Sequence, residues 1–318
     1  MCGMKLIFFG TSEFAVPALD ALVAHGMPPN AVITLPDRPQ GRGLNVKPSP
    51  VSIAAEAHHL PIYKPERIRE ASFIDELTAL RPDVGVVVAY GKLIPETVIA
   101  LFPKGILNIH PSLLPEFRGP SPIQSAILGG ASETGVSVML LDSELDHGPV
   151  IAKEKEVILP DDTSETLGAR LAKKGAELLI IVVPKWLAGS IKGAPQDHSR
   201  ATFTKRLQKD SGHIDWNESA KTLERKIRAY NPWPGTFSFA KRKEGTLRIK
   251  IIRGHVRTPI RKSDKPAVGA LFTWEGALAV SAEDGVVILD EVQPEFKQKM
   301  TGKSFISGYE KLINSRLF

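Results

Sequence analysis

Lys5-Leu6-Ile7-Phe8-Phe9-Gly10-Thr11-Ser12 is a short β-rich apolar run that ends in small turn-forming residues. Runs of the same kind recur at 31–34, 84–89, 106–110 and 136–141. Between them, 15–24, 51–58 and 66–80 space their apolar residues as helices do. Strands alternating with helical segments are the signature of a parallel sheet with crossover helices, so the first half is predicted to be a doubly wound, mostly parallel, Rossmann-like α/β domain. In such sheets ligands bind outside the carboxyl ends of the strands. Those ends carry Gly10-Thr11-Ser12, Tyr90-Gly91, residues 108–115 and residues 142–148.

A further helical run, 163–186, closes this domain, with Thr163 or Ser164 at its N-cap and Leu167, Leu171, Leu178 and Ile181 along one face. The following stretch is rich in Gly, Ser, Pro and charge without periodicity, which reads as a linker over 190–205. Beyond it, β-like runs at 246–252, 278–281 and 286–292 are separated by turn residues, and a small OB-like β-barrel is expected over 206–318. The catalytic domain is accordingly expected over 1–189. A loop at 35–50, longer than most α/β connections, carries Arg38, Arg42 and Lys47 among glycines and prolines.

Charge is divided unevenly between the halves. Residues 1–199 hold 18 Lys and Arg against 22 Asp and Glu, a balance of −4, whereas 200–318 hold 23 against 13, a balance of +10. The second half therefore presents the surface suited to a polyanion. Within it Lys241, Arg242, Lys243, Arg248, Lys250, Arg253, Arg257, Arg261 and Lys262 are accompanied by Glu244 alone among acids. Arg248, Lys250 and Arg253 are the candidates for contacting a nucleic-acid backbone. The single cysteine, Cys2, precludes an internal disulfide. No basic leader precedes the first apolar run and no apolar stretch is long enough to cross a bilayer, so the expectation is a cytoplasmic protein without a membrane partner.

Several familiar signatures fail. Gly10-Thr11-Ser12 lacks the G-x-G-x-x-G spacing, so no NAD-type cofactor is expected. Gly302-Lys303-Ser304 imitates the end of a phosphate-binding loop, but Lys297 stands where its first glycine belongs. His58 and His59 are adjacent and diverge on a helix, and no other histidines have ligand spacing, so no metal is expected.

The chemistry concentrates in Leu107-Asn108-Ile109-His110-Pro111-Ser112-Leu113-Leu114-Pro115, followed by Arg118-Gly119. Asn108 and His110 are two apart and share one face of a strand at its carboxyl end. A carboxylate from Asp142-Ser143-Glu144-Leu145-Asp146-His147-Gly148, after the next strand, can join them. Asn offers a neutral donor to a developing oxyanion, His exchanges protons near neutral pH, and a carboxylate orients that His.

This set, Asn-x-His-x-Ser-Leu-Leu-Pro, Arg-Gly and then Asp-x-Gly, resembles the 10-formyltetrahydrofolate formyltransferases. Within them the chain is similar to the branch whose acceptor is the methionine of initiator methionyl-tRNA. Residues 9–15, 36–43 and Asn231-Pro232-Trp233-Pro234-Gly235 extend that likeness over nearly the whole length. The resemblance implies that Asn108, His110 and Asp146 are catalytic, with Asn108 and protonated His110 donating to the oxyanion and Asp146 holding His110. It implies a folate-binding loop at Ser112, Leu113, Leu114 and Pro115, with Tyr90 and Gly91 on the neighbouring wall. It implies tRNA contact through Arg42 and its loop neighbours Arg38 and Lys47, with the C-terminal domain docking the tRNA body. Glu116 and His147 depart from it, standing where a basic and a small residue are common. Glycinamide ribonucleotide formyltransferase shares the central loop and remains an alternative at this level, as do the formyl-handling domains of sugar-nucleotide and formylfolate dehydrogenase enzymes and an RNA-binding protein on an inactive enzyme scaffold.

Overall fold

The computed structural model describes residues 4–40, 45–243, 245–257 and 266–318. Two compact units divide the chain. The first comprises residues up to Pro122 with Glu133–Val157 and Gly168–Thr204, and the second Ile123–Ser132, Ile158–Leu167 and Lys205–Phe318.

In chain order the elements begin with β1 (Leu6–Gly10), α1 (Val16–Ala24), β2 (Ala31–Ile33), β3 (Arg38–Gln40), β4 (Asn45–Lys47) and α2 (Pro50–Ala57). There follow β5 (Ile62–Tyr63), α3 (Ala71–Ala79), β6 (Val84–Val88), α4 (Glu96–Ile99), β7 (Ile106–His110), α5 (Pro122–Gly129), β8 (Glu133–Leu140), β9 (Val150–Val157) and α6 (Ser164–Leu187). Seven strands form the main sheet of the first unit in the order β5-β2-β1-β6-β7-β8-β9. Pairing is parallel from β5 through β7.

Period-two alternation in β1 explains why both faces of this sheet are covered. Leu6 and Phe8 enter one core with Leu19, Leu22, Val51, Leu179 and Val183 from α1, α2 and α6. Ile7 and Phe9 enter the opposite core with Phe73 and Leu77 of α3 and Val98 of α4. Helix α2 starts where the sequence signals it: the Ser49 hydroxyl caps the Ser52 amide and Pro50 follows directly. The result is the doubly wound unit that the alternation of patterns predicts.

One strand direction departs from the sequence reading. The run at 136–141 belongs to β8, which pairs with β7 in antiparallel register, His110 opposite Ser137 and Leu107 opposite Leu140. The carboxyl end of β8 therefore lies beside the start of β7, away from His110. β9, antiparallel to β8, escapes sequence recognition because its centre is the charged, exposed stretch Lys153-Glu154-Lys155 of an edge strand.

The segment 190–205 is pinned along its length. Ala194 bridges Val150, and Phe203 bridges Arg118 in parallel fashion. A composition typical of solvated spacers also suits a strap that satisfies backbone groups at a sheet edge.

The second unit contains α7 (Ala220–Ala229), β10 (Thr236–Lys241), β11 (Thr246–Arg257), β12 (Leu271–Trp274), β13 (Ala277–Ser281), β14 (Val286–Pro294), β15 (Met300–Thr301) and α8 (Gly302–Gly308). Its antiparallel sheet runs β10-β11-β14-β13-β12, with β15 on β14. Leu223 and Ile227 of α7 pack with Ile249, Ile251, Val287 and Leu289 in its core. No described helix is long and apolar enough to cross a membrane.

Candidate active site

β7 delivers Asn108 and His110 to one face, as their spacing requires. Both are buried, 9% and 4% exposed. Asp146 reaches them by a route the sequence does not disclose. Because β8 ends at the wrong edge, the chain from Leu141 to Gly148 folds back over β7 before entering β9. Gly148 permits the return, since a Cβ there would lie 2.0 Å from the Leu140 carbonyl oxygen. Asp146 arrives 9% exposed, with its carboxylate Oδ2 3.6 Å from His110 Nδ1.

Two contacts fix these groups. His110 Nε2 lies 3.0 Å from the Phe117 carbonyl. A carbonyl only accepts, so Nε2 carries a proton and Nδ1 is the atom facing the carboxylate. The Gly119 amide donates to Asp146 Oδ2 at 2.7 Å. Gly119 has φ +109°, and an added Cβ would meet the Thr204 hydroxyl at 2.8 Å, so glycine is required where this amide turns toward the carboxylate.

A cavity of about 1240 Å³ opens beside this set. Asn108 and Asp146 line it together with Ile68, Val87, Leu93, Ile94 and Leu141, and its rim carries Arg67, Arg69, Lys92, Asp142 and Glu144. His110 is not among the lining residues and stands behind Asp146. The mixture of an apolar wall and a few convergent polar groups is what a planar, partly polar small molecule needs. Among the described residues no group of His, Cys, Asp and Glu is arranged to hold a metal ion.

Tyr90, Gly91 and the 112–115 loop take other positions. The Tyr90 ring packs edge-on to Phe9 in the core, its hydroxyl has no hydrogen-bond partner among the described residues, and burial pushes its pKa up to about 12. Gly91 turns the chain with φ +88°. The Ser112 hydroxyl bonds the Glu116 carbonyl, and Ser137 Oγ bridges the Ser112 carbonyl and the Leu114 amide. Leu114 is fully buried with Met139 and Val150, and Lys153 donates to its carbonyl. None of these residues, nor Leu113 or Pro115, is among those lining the cavity. Leu114→Asp is therefore expected to lower stability by about 3–5 kcal/mol, the typical cost of an uncompensated buried charge, as read by denaturant melting.

Behind the site lies a polar network in which Arg118, Asp142 and His147 of the sequence motifs meet Gln196 and His198, which the sequence gives no reason to single out. Arg118 is buried and donates through Nε and Nη2 to Gln196 Oε1 at 3.2 and 2.8 Å. Its Nη2 also lies 2.8 Å from His198 Nδ1. The His198 ring stacks on His147 at 4.2 Å with 5° between planes, and His147 Nδ1 is 2.7 Å from Asp142 Oδ2.

In the second unit β11 carries the predicted cations. Arg248 lies over the Phe237 ring at 3.8 Å. Lys250 is held below its ordinary pKa by burial, with Lys299 and Arg248 adding repulsion. A register irregularity between Ile251 and Gly254 shifts exposure from even to odd positions, so Arg248 is exposed before it and Arg253, His255 and Arg257 after it. The bulge gathers more cations on the solvent side than strict alternation allows. Some are partnered: His255 with Asp290 at 3.0 Å and Arg257 with Glu275 at 3.4 Å.

In the first unit β3 and β4 form a hairpin with Arg38 in register with the exposed Lys47. Arg42, like Cys2, Glu244, Arg261 and Lys262, lies outside the described residues.

The family model for formyl transferases matches residues 4–183, and the model for the formyl transferase C-terminal domain matches residues 206–310. The chain is 42% identical over 305 residues to the methionyl-tRNA formyltransferase of Chloroflexus aurantiacus, covering 96% of this chain and 97% of that one. Against the methionyl-tRNA formyltransferase of Thermus thermophilus it is 42% identical over 314 residues, 99% of each. Among solved structures, the fold is shared with an N-formyltransferase from Helicobacter canadensis in complex with folinic acid and dTDP-3-aminofucose (TM-score 0.66, 17% identity, 93% of this chain and 100% of that one). It is shared too with HypX from Aquifex aeolicus in complex with tetrahydrofolic acid (TM-score 0.64, 16% identity), of which this chain covers 48% while 98% of it is matched. Two family models, one on each side of the strap, and relatives matched from end to end place one conclusion on the chain as a whole: it belongs to the methionyl-tRNA formyltransferase family.

Proposed function

We infer that this chain transfers the formyl group of 10-formyltetrahydrofolate to the α-amino group of methionine on initiator methionyl-tRNA. The observation that carries the reading is the convergence of Asn108 and Asp146 on the wall of the large cavity, with His110 directly behind. In the reaction the amine nitrogen bonds the formyl carbon, the bond from that carbon to folate N10 breaks, and one amine proton passes to N10. Asn108 donates to the tetrahedral oxyanion. Because His110 faces Asp146 and does not line the cavity, the oxyanion contact read for it from the sequence is not carried forward: Asp146 accepts the amine proton and His110 exchanges protons with it through Nδ1.

The folate occupies the cavity against Ile68, Leu93, Ile94 and Leu141. Ser112 to Pro115 follow β7, and Tyr90 and Gly91 follow β6, so the folate-binding role read for them from the sequence becomes one of holding the strand ends beside the cavity rather than lining it. Arg38, Arg42 and Lys47 engage the acceptor end of the tRNA, and the exposed cations of β11 track its backbone. Labelled 10-formyltetrahydrofolate offered with initiator methionyl-tRNA, elongator methionyl-tRNA and glycinamide ribonucleotide tests the assignment. Label is expected on the initiator species, and preferential labelling of glycinamide ribonucleotide rejects it.

Docking by β11 has its own test. Neutralising Arg248, Lys250 and Arg253 together is expected to weaken tRNA binding and to flatten the slope of log affinity against log salt by about 0.7–0.9 per lost phosphate contact. An unchanged slope places the tRNA elsewhere.

A further inference from the structure

We propose that Gln196 is a positioning residue that holds Asp146 in its working geometry, with Arg118 fixing Gln196 in turn. The inference rests on the role given to Asp146 above. Asp146 has φ +49°, a left-handed backbone conformation uncommon outside glycine, so its neighbours must impose it.

They do so through a closed circuit. The Asp146 carbonyl accepts from Gln196 Nε2 at 2.9 Å, and the same amide nitrogen donates to the Gly148 carbonyl at 2.8 Å. Gln196 Oε1 accepts both bonds from Arg118. Arg118 is joined covalently to Gly119, whose amide donates to the Asp146 carboxylate. Backbone and side chain of the aspartate are thus gripped by two ends of one assembly. Gln196 and Arg118 are 8% and 3% exposed, so water competes little for these bonds.

The chemistry of the position calls for an amide. Two carbonyls require donors on one side while a guanidinium requires an acceptor on the other, and only a carboxamide presents both. The strap anchors the circuit: the Arg118 amide donates to the Thr202 carbonyl at 2.9 Å, and the Thr204 amide to the Arg118 carbonyl at 2.7 Å. His198, stacked on His147, orients the guanidinium from its far side.

Two substitutions separate positioning from bulk stability. Gln196→Glu keeps the acceptor for Arg118 and removes both donors, whereas Gln196→Met keeps the shape and removes every bond. Both are expected to lower kcat for methionyl-tRNA formylation by about 10- to 100-fold, the scale of a small misplacement of a reacting group, while the KM for folate changes by no more than about threefold. Because Gln196→Glu turns a carboxylate oxygen toward both carbonyls, the rate of each variant is read well below its own melting temperature. Because residues acting as a unit are non-additive, Gln196→Met in an Asp146→Ala background is expected to cause little further loss of single-turnover rate. The proposal is overturned if both Gln196 variants retain near-normal kcat, or if the Gln196→Met loss multiplies fully with that of Asp146→Ala. Loss in Asp146→Ala with normal Gln196 variants sinks this inference alone. Near-normal rates in Asp146→Ala sink it together with the role given to Asp146.

Discussion

His110→Ala is expected to lower kcat by about 10²- to 10⁴-fold, the range for removing a positioned proton-transfer group. The ring is 4% exposed and touches the site through Asp146, so its loss reaches the reaction by way of the carboxylate and leaves the cavity wall intact. The folate KM should consequently move far less than kcat. His110→Asn distinguishes proton exchange from shape, because an amide keeps a hydrogen-bonding group at the Nδ1 position, toward Asp146, but cannot cycle a proton. Single-turnover rates for both variants, with melting curves to show that each folds, decide the matter. Recovery of most of the activity in His110→Asn rejects a proton-transfer role.

Asn108→Ala is expected to cost about 10² to 10³ in kcat, as for the loss of one oxyanion donor. Unlike His110, Asn108 lines the cavity itself, so its amide is placed to meet a carbonyl bound there without an intermediary. Asn108→Asp should be worse than alanine: it is similar in size but replaces the donor with a carboxylate beside Asp146, which repels the oxyanion. Should the aspartate variant prove faster than the alanine variant, donation by Asn108 is not what drives the step.

Electrostatics in the second unit follow the same logic of neighbours over composition. Lys250 loses proton affinity because it is partly buried near Arg248 and Lys299. A phosphate placed there would offset that repulsion and bring the pKa back up toward its ordinary value. Arg248 already sits 3.8 Å over the Phe237 ring, a contact that lowers the freedom its side chain has left to lose on binding.

The sequence by itself determined much of this protein. Strands β1, β2, β6 and β7 and helices α1, α2 and α6 are legible because apolar periodicity is a local property that the burial of each face converts directly into structure. The pairing of Asn108 with His110 on one face is equally local, a consequence of spacing by two. The linked motifs around them were specific enough to indicate the family.

What only the tertiary structure decided are relations between distant residues. β8 reads as one more strand of the parallel set, yet runs antiparallel to β7, since direction depends on the path of the connection and leaves no mark on the strand's own pattern. Asp146 therefore reaches His110 by a returning loop. Gln196, 50 residues from Asp146, sits in a stretch whose composition is that of a solvated spacer. A polar side chain satisfied by burial and one satisfied by water are the same letter in a sequence, and only the fold, by bringing two carbonyls and a guanidinium around Gln196, distinguishes them.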